Sequence, residues 1–226
     1  MSREDNDKNL FLTIKGMHEL EKMNEDTVYE KKGDLAIVLS NAVKLDELMG
    51  TYESYAYVTR HDLEKWNLDE AEAFSIACKN TKEQFPGVVE PISQYITFSD
   101  EFLEADGEMV PKLYVVTNKE HFNGTVTIFT EPDVLDHLST ESDIGKVAII
   151  PISSNNVICC PLINNDSLND LSDSYNEFLS SLKRDIGLAQ GIMTYDSESK
   201  TICSTNGEEF DLTIRQDSAV VFRNVR

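Results

Sequence analysis

Apolar positions recur most regularly in SLNDLSDSYNEFLSSL, residues 167 to 182. Leu168, Leu171, Tyr175, Phe178, Leu179 and Leu182 share one helical face, while Asp173, Asn176 and Glu177 fall on the other. Ser167 followed by Asp170 supplies a start signal. WNLDEAEAFSIACKNT, residues 66 to 81, predicts a second helix: Asn67 and Glu70 have capping-box spacing, and Leu68, Ala71, Phe74 and Cys78 line one side. A shorter helix is expected over TEPDVLDHL, residues 130 to 138, with Thr130 and Asp133 capping reciprocally and Pro132 tolerated in the first turn. Leu10, Ile14, Met17, Leu20 and Met23 give an N-terminal helical stripe, weakened by Gly16.

Between these lie runs with β character. GDLAIVLSNAV (33 to 43) and ESYAYVT (53 to 59) predict strands. KLYVVTN (112 to 118) and NGTVTIF (123 to 129) predict a strand pair joined through KEHF. KVAII and NVICC, within residues 146 to 160, predict two short strands around a Pro, Ser and Asn break. FPGVVEPISQYITF (85 to 98) carries two prolines and is expected to begin as irregular backbone, before an exposed acidic connection from Asp100 to Gly107. Beyond Gly187, residues 191 to 222 hold four short β-like runs separated by DSES, NG and QD, the pattern of an antiparallel meander. The fold class is α+β: a mixed or antiparallel sheet packed with several helices and ending in that meander. Residues 1 to 226 read as one domain or as two closely packed lobes, with weak boundaries near 100 and 187.

Composition adds a charge bias. The chain has 41 acidic and 20 basic residues, for a formal net charge of -21. Residues 131 to 180 hold nine Asp or Glu and Lys146 as their lone Lys or Arg, whereas Arg215, Arg223 and Arg226 sit near the C-terminus. Such a surface repels nucleic-acid phosphate and anionic lipid and favours a basic partner. The opening residues lack a signal-peptide core, and no run of eighteen apolar residues follows, so residence in the cytoplasm is the expectation.

Recognisable chemistry is sparse. His18, His61, His121 and His137 are dispersed, there is no HExxH or CxxC, and no metal or other cofactor is expected. No glycine pattern has phosphate-loop or dinucleotide-loop spacing; Gly107, Gly124, Gly187, Gly191 and Gly207 read as turn residues. His61 beside Asp62 is explained as well by an exposed helix entry as by a base pair of side chains. Cys159 and Cys160 would point to opposite faces of a strand, which disfavours a disulfide between them and leaves them as inert core thiols. No catalytic residue is assigned. Ser153, Ser154, Asn155 and Asn156 stand as candidate ligand-binding positions at the rim of a pocket over residues 151 to 158.

Several fragments resemble the DUF5688 family of bacterial, mostly Firmicutes, proteins of uncharacterised function. They are YVTRHDLEKWNLDEAEAFSIACKNT with FPGVVEPI, KLYVVTNKEHFNGTVTIF, KVAIIPISSNNVICCP, and a divergent helix leading towards MTYD, spanning roughly residues 55 to 196. The resemblance implies a Pro-Ser-Ser-x-His-Glu segment at the start of the polar break, where this chain reads Pro151, Ile152, Ser153, Ser154, Asn155 and Asn156. The family His-Glu pair thus falls on Asn155 and Asn156. Neither is a general base, although both retain hydrogen bonding. The resemblance implies a bacterial cytoplasmic origin and supplies no substrate; the divergence, the acidic surface and the lack of obvious catalytic machinery point to a phage or mobile element as a further origin.

The expected function is a non-enzymatic acidic binding or regulatory protein that engages a protein partner, with an inhibitor of a nucleic-acid-binding enzyme as one subtype. Asp133, Asp136, Asp170, Asp173 and Glu177 are its candidate partner-binding residues. The alternative is an enzyme or small-ligand receptor whose pocket gathers Ser153, Asn155 and Asn156 with side chains near Trp66 or Tyr114. A structural subunit is a third reading.

Overall fold

The N-terminal apolar run forms a strand where the spacing predicted a helix. In the computed structural model, which describes residues 7–43, 54–95, 112–181, 188, 191–204 and 206–214, Leu10–Gly16 is β1 and only Met17–Leu20 is helical (α1). Leu10, Phe11, Leu12, Thr13 and Ile14 are all buried. Five successive buried positions suit a strand covered on both faces better than a helix with one wet side. Strand β1 pairs antiparallel with β3, Leu35–Val43, from Leu10↔Asn41 to Gly16↔Leu35. β2, Tyr29–Lys32, and β4, Ser54–Tyr57, pair with successive parts of the other edge of β3, completing a four-stranded sheet.

Helix α2 spans Arg60–Trp66 and α3 spans Glu70–Gln84. The capping expected of Asn67 belongs to its neighbours: Asn67 ends α2 in the left-handed conformation, and Asp69 starts α3 by accepting the Glu72 N–H. Thr59 and Asp62 cap α2 reciprocally, while His61 stays exposed. Two residues of α3 close the open edge of β1. Thr81 Oγ1 accepts the Leu12 N–H at 2.9 Å, and the Asn80 amide donates to the Leu10 carbonyl at 2.8 Å. An edge strand that would otherwise leave backbone groups unpaired is thereby satisfied by side chains.

The second sheet is seven-stranded and antiparallel, in the order β11-β10-β9-β7-β8-β6-β5. Its strands are β5 (Gly87–Pro91), β6 (Tyr114–Asn118), β7 (Lys146–Pro151), β8 (Val157–Pro161), β9 (Met193–Asp196), β10 (Thr201–Cys203) and β11 (Glu209–Asp211). Residues 87 to 91, expected to be irregular, pair with β6 at the sheet edge, where proline is tolerated. The expected strand over 123 to 129 is instead a 3-10 turn, Gly124–Val126, running into a short helix α4, Thr127–Thr130. Helix α5, Asp133–Ser139, follows Pro132 without the expected Thr130 cap, because Thr130 Oγ1 donates to the Val126 carbonyl. Helix α6 is Asp166–Ser181. The last three strands form the antiparallel meander; its fourth expected run (218 to 222), the 100 to 107 connection, the boundaries near 100 and 187 and the C-terminal arginines lie outside the described residues.

Alternation along β7 and β8 fixes the layering. Val147, Ile149, Val157 and Cys159 enter the large core with Leu135 and Leu138 of α5, with Phe74 of α3 and with Leu12 and Ile37 from the other sheet. Ala148, Ile150, Cys160 and Leu162 face the opposite way, against Leu168 and Leu171 of α6. Helices α5 and α6 therefore cover opposite faces of the seven-stranded sheet.

Candidate functional site

The break at 151 to 158 is the turn of the β7–β8 hairpin, which closes at Pro151↔Val157. Its polar groups hold the turn and the neighbouring segment 123 to 125. Ser153 Oγ accepts the Asn155 N–H and donates to Asn156 Oδ1, both at 3.2 Å. Thr125 Oγ1 donates to the Ser153 carbonyl at 2.6 Å, and the Thr125 N–H donates to the Ser154 carbonyl at 3.1 Å. Asn155 Oδ1 accepts the Asn123 N–H at 3.2 Å, while its carbonyl accepts from Thr117 Oγ1 at 2.7 Å. The four candidates thus sit together, with Asn155 exposed and the others half-buried. Tyr114 is not brought to them; its hydroxyl donates to Glu141. Trp66 packs against the large core.

The candidate acidic residues do not form one patch. Asp133 and Asp136 lie on α5, and Asp170 and Asp173 lie on α6 across the sheet. Asp133, Asp170 and Asp173 are exposed. The side chain of Glu177 lies outside the described residues. Asp136 is half-buried and bonded to Tyr195 and Lys200.

A cleft of about 490 Å³ opens beside Asp136, between α5, α4, the β9–β10 turn and the stretch that follows β11. Phe129, Pro132, Leu212 and Ile214 give it an apolar wall, and Asp136, Tyr195 and Lys200 a polar one. Asp136 Oδ1 accepts from both the Tyr195 hydroxyl and Lys200 Nζ. Burial raises the Asp136 pKa, but the hydrogen bonds from Lys200 and Tyr195 outweigh it and hold the carboxyl below its ordinary value. Burial, then the hydrogen bond to Asp136, pushes the Tyr195 phenol up, so it remains a protonated donor. The trio is a neutral phenol and an ion pair with no net charge. Among the described residues, no three His, Cys, Asp or Glu side chains converge to hold a metal ion.

Residues 5–219 match the model of DUF5688, a family of unknown function. The chain belongs to the DUF5688 family. No curated protein and no solved structure matches it. The turn that carries Asn155 and Asn156 and the cleft at Asp136 are separate places in this DUF5688 protein. The cleft is invisible in the sequence, since its polar wall joins position 136 to positions 195 and 200; YDSESK, with its Asp and Ser turn residues, marks only the loop. No helix among the described residues is long and apolar enough to cross a membrane.

The cysteines are free, and Cys78, Cys159 and Cys160 pack in apolar surroundings. Cys159 and Cys160 enter opposite layers, as expected for neighbours on a strand. Cys78 lines the cleft, but burial raises its thiol despite Lys82 nearby, which argues against a nucleophile. Burial pushes Cys160 up to about 11 and Cys159 higher still. Because the folded pKa values are raised, their contribution is complete below the unfolded thiol pKa and is lost as pH rises towards the folded values. Each thiol should cost up to ~1.4 kcal/mol of stability per pH unit above about pH 9. Urea unfolding across this range is expected to show a steep alkaline limb that Cys159→Ala with Cys160→Ala flattens; an unchanged slope would place the titration elsewhere.

Proposed function

We propose that this protein is a non-enzymatic binding or regulatory protein whose acidic surface engages a protein partner with a basic face. The observation that carries this reading is how its positive charges are disposed. Lys31, Arg60, Lys79, Lys112, Lys146 and Lys200 each stand within 4.0 Å of a carboxylate, on Glu208, Glu70, Glu83, Glu141, Asp196 and Asp136 respectively. These six basic groups are neutralised locally, and the excess of 21 negative charges dominates the field at a distance. An inhibitor of a nucleic-acid-binding enzyme is one subtype of this reading, because an acidic face can occupy a channel built for phosphate. Action in the bacterial cytoplasm, as a protein of the bacterium or of its phage, is part of the proposal.

Partner capture from the native host, followed by affinity measurement with the purified pair, tests it. Raising the salt from about 50 to 300 mM is expected to weaken association more than tenfold. Because the acidic helices lie on opposite faces, Asp133→Asn and the pair Asp170→Asn with Asp173→Asn report on α5 and α6 separately. One face should weaken and the other should not. A salt-insensitive complex, or no specific partner at either salt, would sink the reading.

A further inference from the structure

The cleft has a chemistry that the charged surface does not use. Asp136 Oδ1 is taken by two donors, and its Oδ2 makes no hydrogen bond among the described residues. Lys200 donates to Asp136, leaving two further N–H donors with no partner among the described residues. An open acceptor and an open donor thus stand side by side, joined through one ion pair of 2.5 Å. Lys200 is held in place by its backbone, at φ +59 in the turn after β9, with its N–H donating to the Asp196 carbonyl. Tyr195, 1% exposed on β9, fixes the carboxylate from the other side.

The geometry points to a binding site for a small neutral molecule that carries a carboxamide edge on an apolar or aromatic body. The amide N–H donates to Asp136 Oδ2, and its carbonyl accepts from Lys200 Nζ. The body lies against Phe129, Pro132, Leu212 and Ile214. Three features select this class. The volume of about 490 Å³ is within the range of small-molecule sites. The Asp136–Lys200 pair has no net charge and Asp211, which also lines the cleft, is paired with Lys32, so a neutral ligand brings no ion into it to be desolvated. Donor and acceptor are adjacent and of opposite kind, as the two sides of an amide are. A lone carboxylate would leave Asp136 facing a like charge, and a lone ammonium would face Lys200. This inference does not rest on the protein-partner reading, because it concerns uncharged ligands and residues inside the cleft; either can fail alone.

Benzamide, benzoate and benzylamine share a ring and differ in head group, so titrating each into the full chain by 1H–15N NMR separates the cases. Benzamide is expected to give saturable shifts at Tyr195, Lys200, Leu212 and Ile214, and to bind about tenfold more tightly than either charged analogue, the equivalent of one hydrogen bond. Lys200→Met sits on an exposed turn and should retain the thermal midpoint while weakening benzamide about tenfold. Asp136→Ala should do the same at pH values where the fold is verified by its spectrum. Shifts that do not saturate or that map elsewhere would overturn the assignment. So would benzoate or benzylamine binding as tightly as benzamide, which would mean simple ion capture, or an unchanged benzamide affinity in a folded Lys200→Met protein.

Discussion

Gly124→Ala is expected to destabilise the protein by about 3 to 5 kcal/mol. A Cβ at this position would lie 2.3 Å from the Asn155 carbonyl oxygen, 2.4 Å from Thr117 Oγ1 and 2.7 Å from Thr117 Cα. Two of these atoms are backbone, and neither is free to retreat. The Asn155 carbonyl is held by Thr117 Oγ1, and the glycine is flanked by Asn123 and Thr125, whose N–H groups donate into the same turn. Relief of the clash therefore breaks several part-buried hydrogen bonds together. Urea unfolding of Gly124→Ala against Gly207→Ala measures the effect. Gly207 has φ +81 but nothing within 4 Å of the added methyl, so its substitution should cost only about 1 to 2 kcal/mol of backbone strain. Equal costs at the two positions would show that segment 123 to 125 is not pinned beneath the β7–β8 turn.

Lys32→Met is expected to cost about 3 kcal/mol and to loosen one wall of the cleft. Lys32 is 5% exposed, and its ammonium reaches the Thr213 carbonyl at 2.6 Å, Glu30 at 3.0 Å and Asp211 at 3.2 Å. Three donors meet three acceptors, drawn from both sheets. Methionine keeps most of the buried stem but leaves the Thr213 carbonyl without this donor and deprives both carboxylates of a nearby cation. Asp211 is largely exposed and recovers in water, so most of the cost falls on Thr213 and on Glu30, whose side chain is 12% exposed. Chemical denaturation gives the energy, and hydrogen exchange at Leu212 to Ile214 should accelerate well before global unfolding. If exchange there tracks the rest of the chain, the lysine is not what anchors that wall.

The α+β class and the antiparallel meander were legible because they rest on local pattern. VAII and VICC alternate between layers in the way their buried residues demand, and Cys159 and Cys160 part to opposite faces as a strand requires. The β character of 33 to 43 and the helices near 70 to 81 and 167 to 181 were equally plain. Two elements misled for identifiable reasons. Leu10, Ile14 and Met17 happen to fall at helical intervals, but Phe11, Leu12 and Thr13 between the first two are also buried, and only pairing with β3 accounts for that. Thr125, Val126, Thr127 and Ile128 have the residue types of a strand, yet the backbone coils tightly under Asn155, because strand preference yields to the surroundings that residues pack against.

The sequence by itself determined the acidic excess, the apolar periods and the polar break between two core strands, since each follows from neighbouring residues and the geometry of one element. Tertiary structure alone decided that Asn155 holds a turn over Asn123 and Thr117, that the acids of α5 and α6 lie on opposite faces, and that Asp136, Tyr195 and Lys200 meet at a cleft. The reason is separation along the chain. Asp136 and Tyr195 are 59 residues apart, and only the packing of a helix on a sheet brings their oxygens into a hydrogen bond.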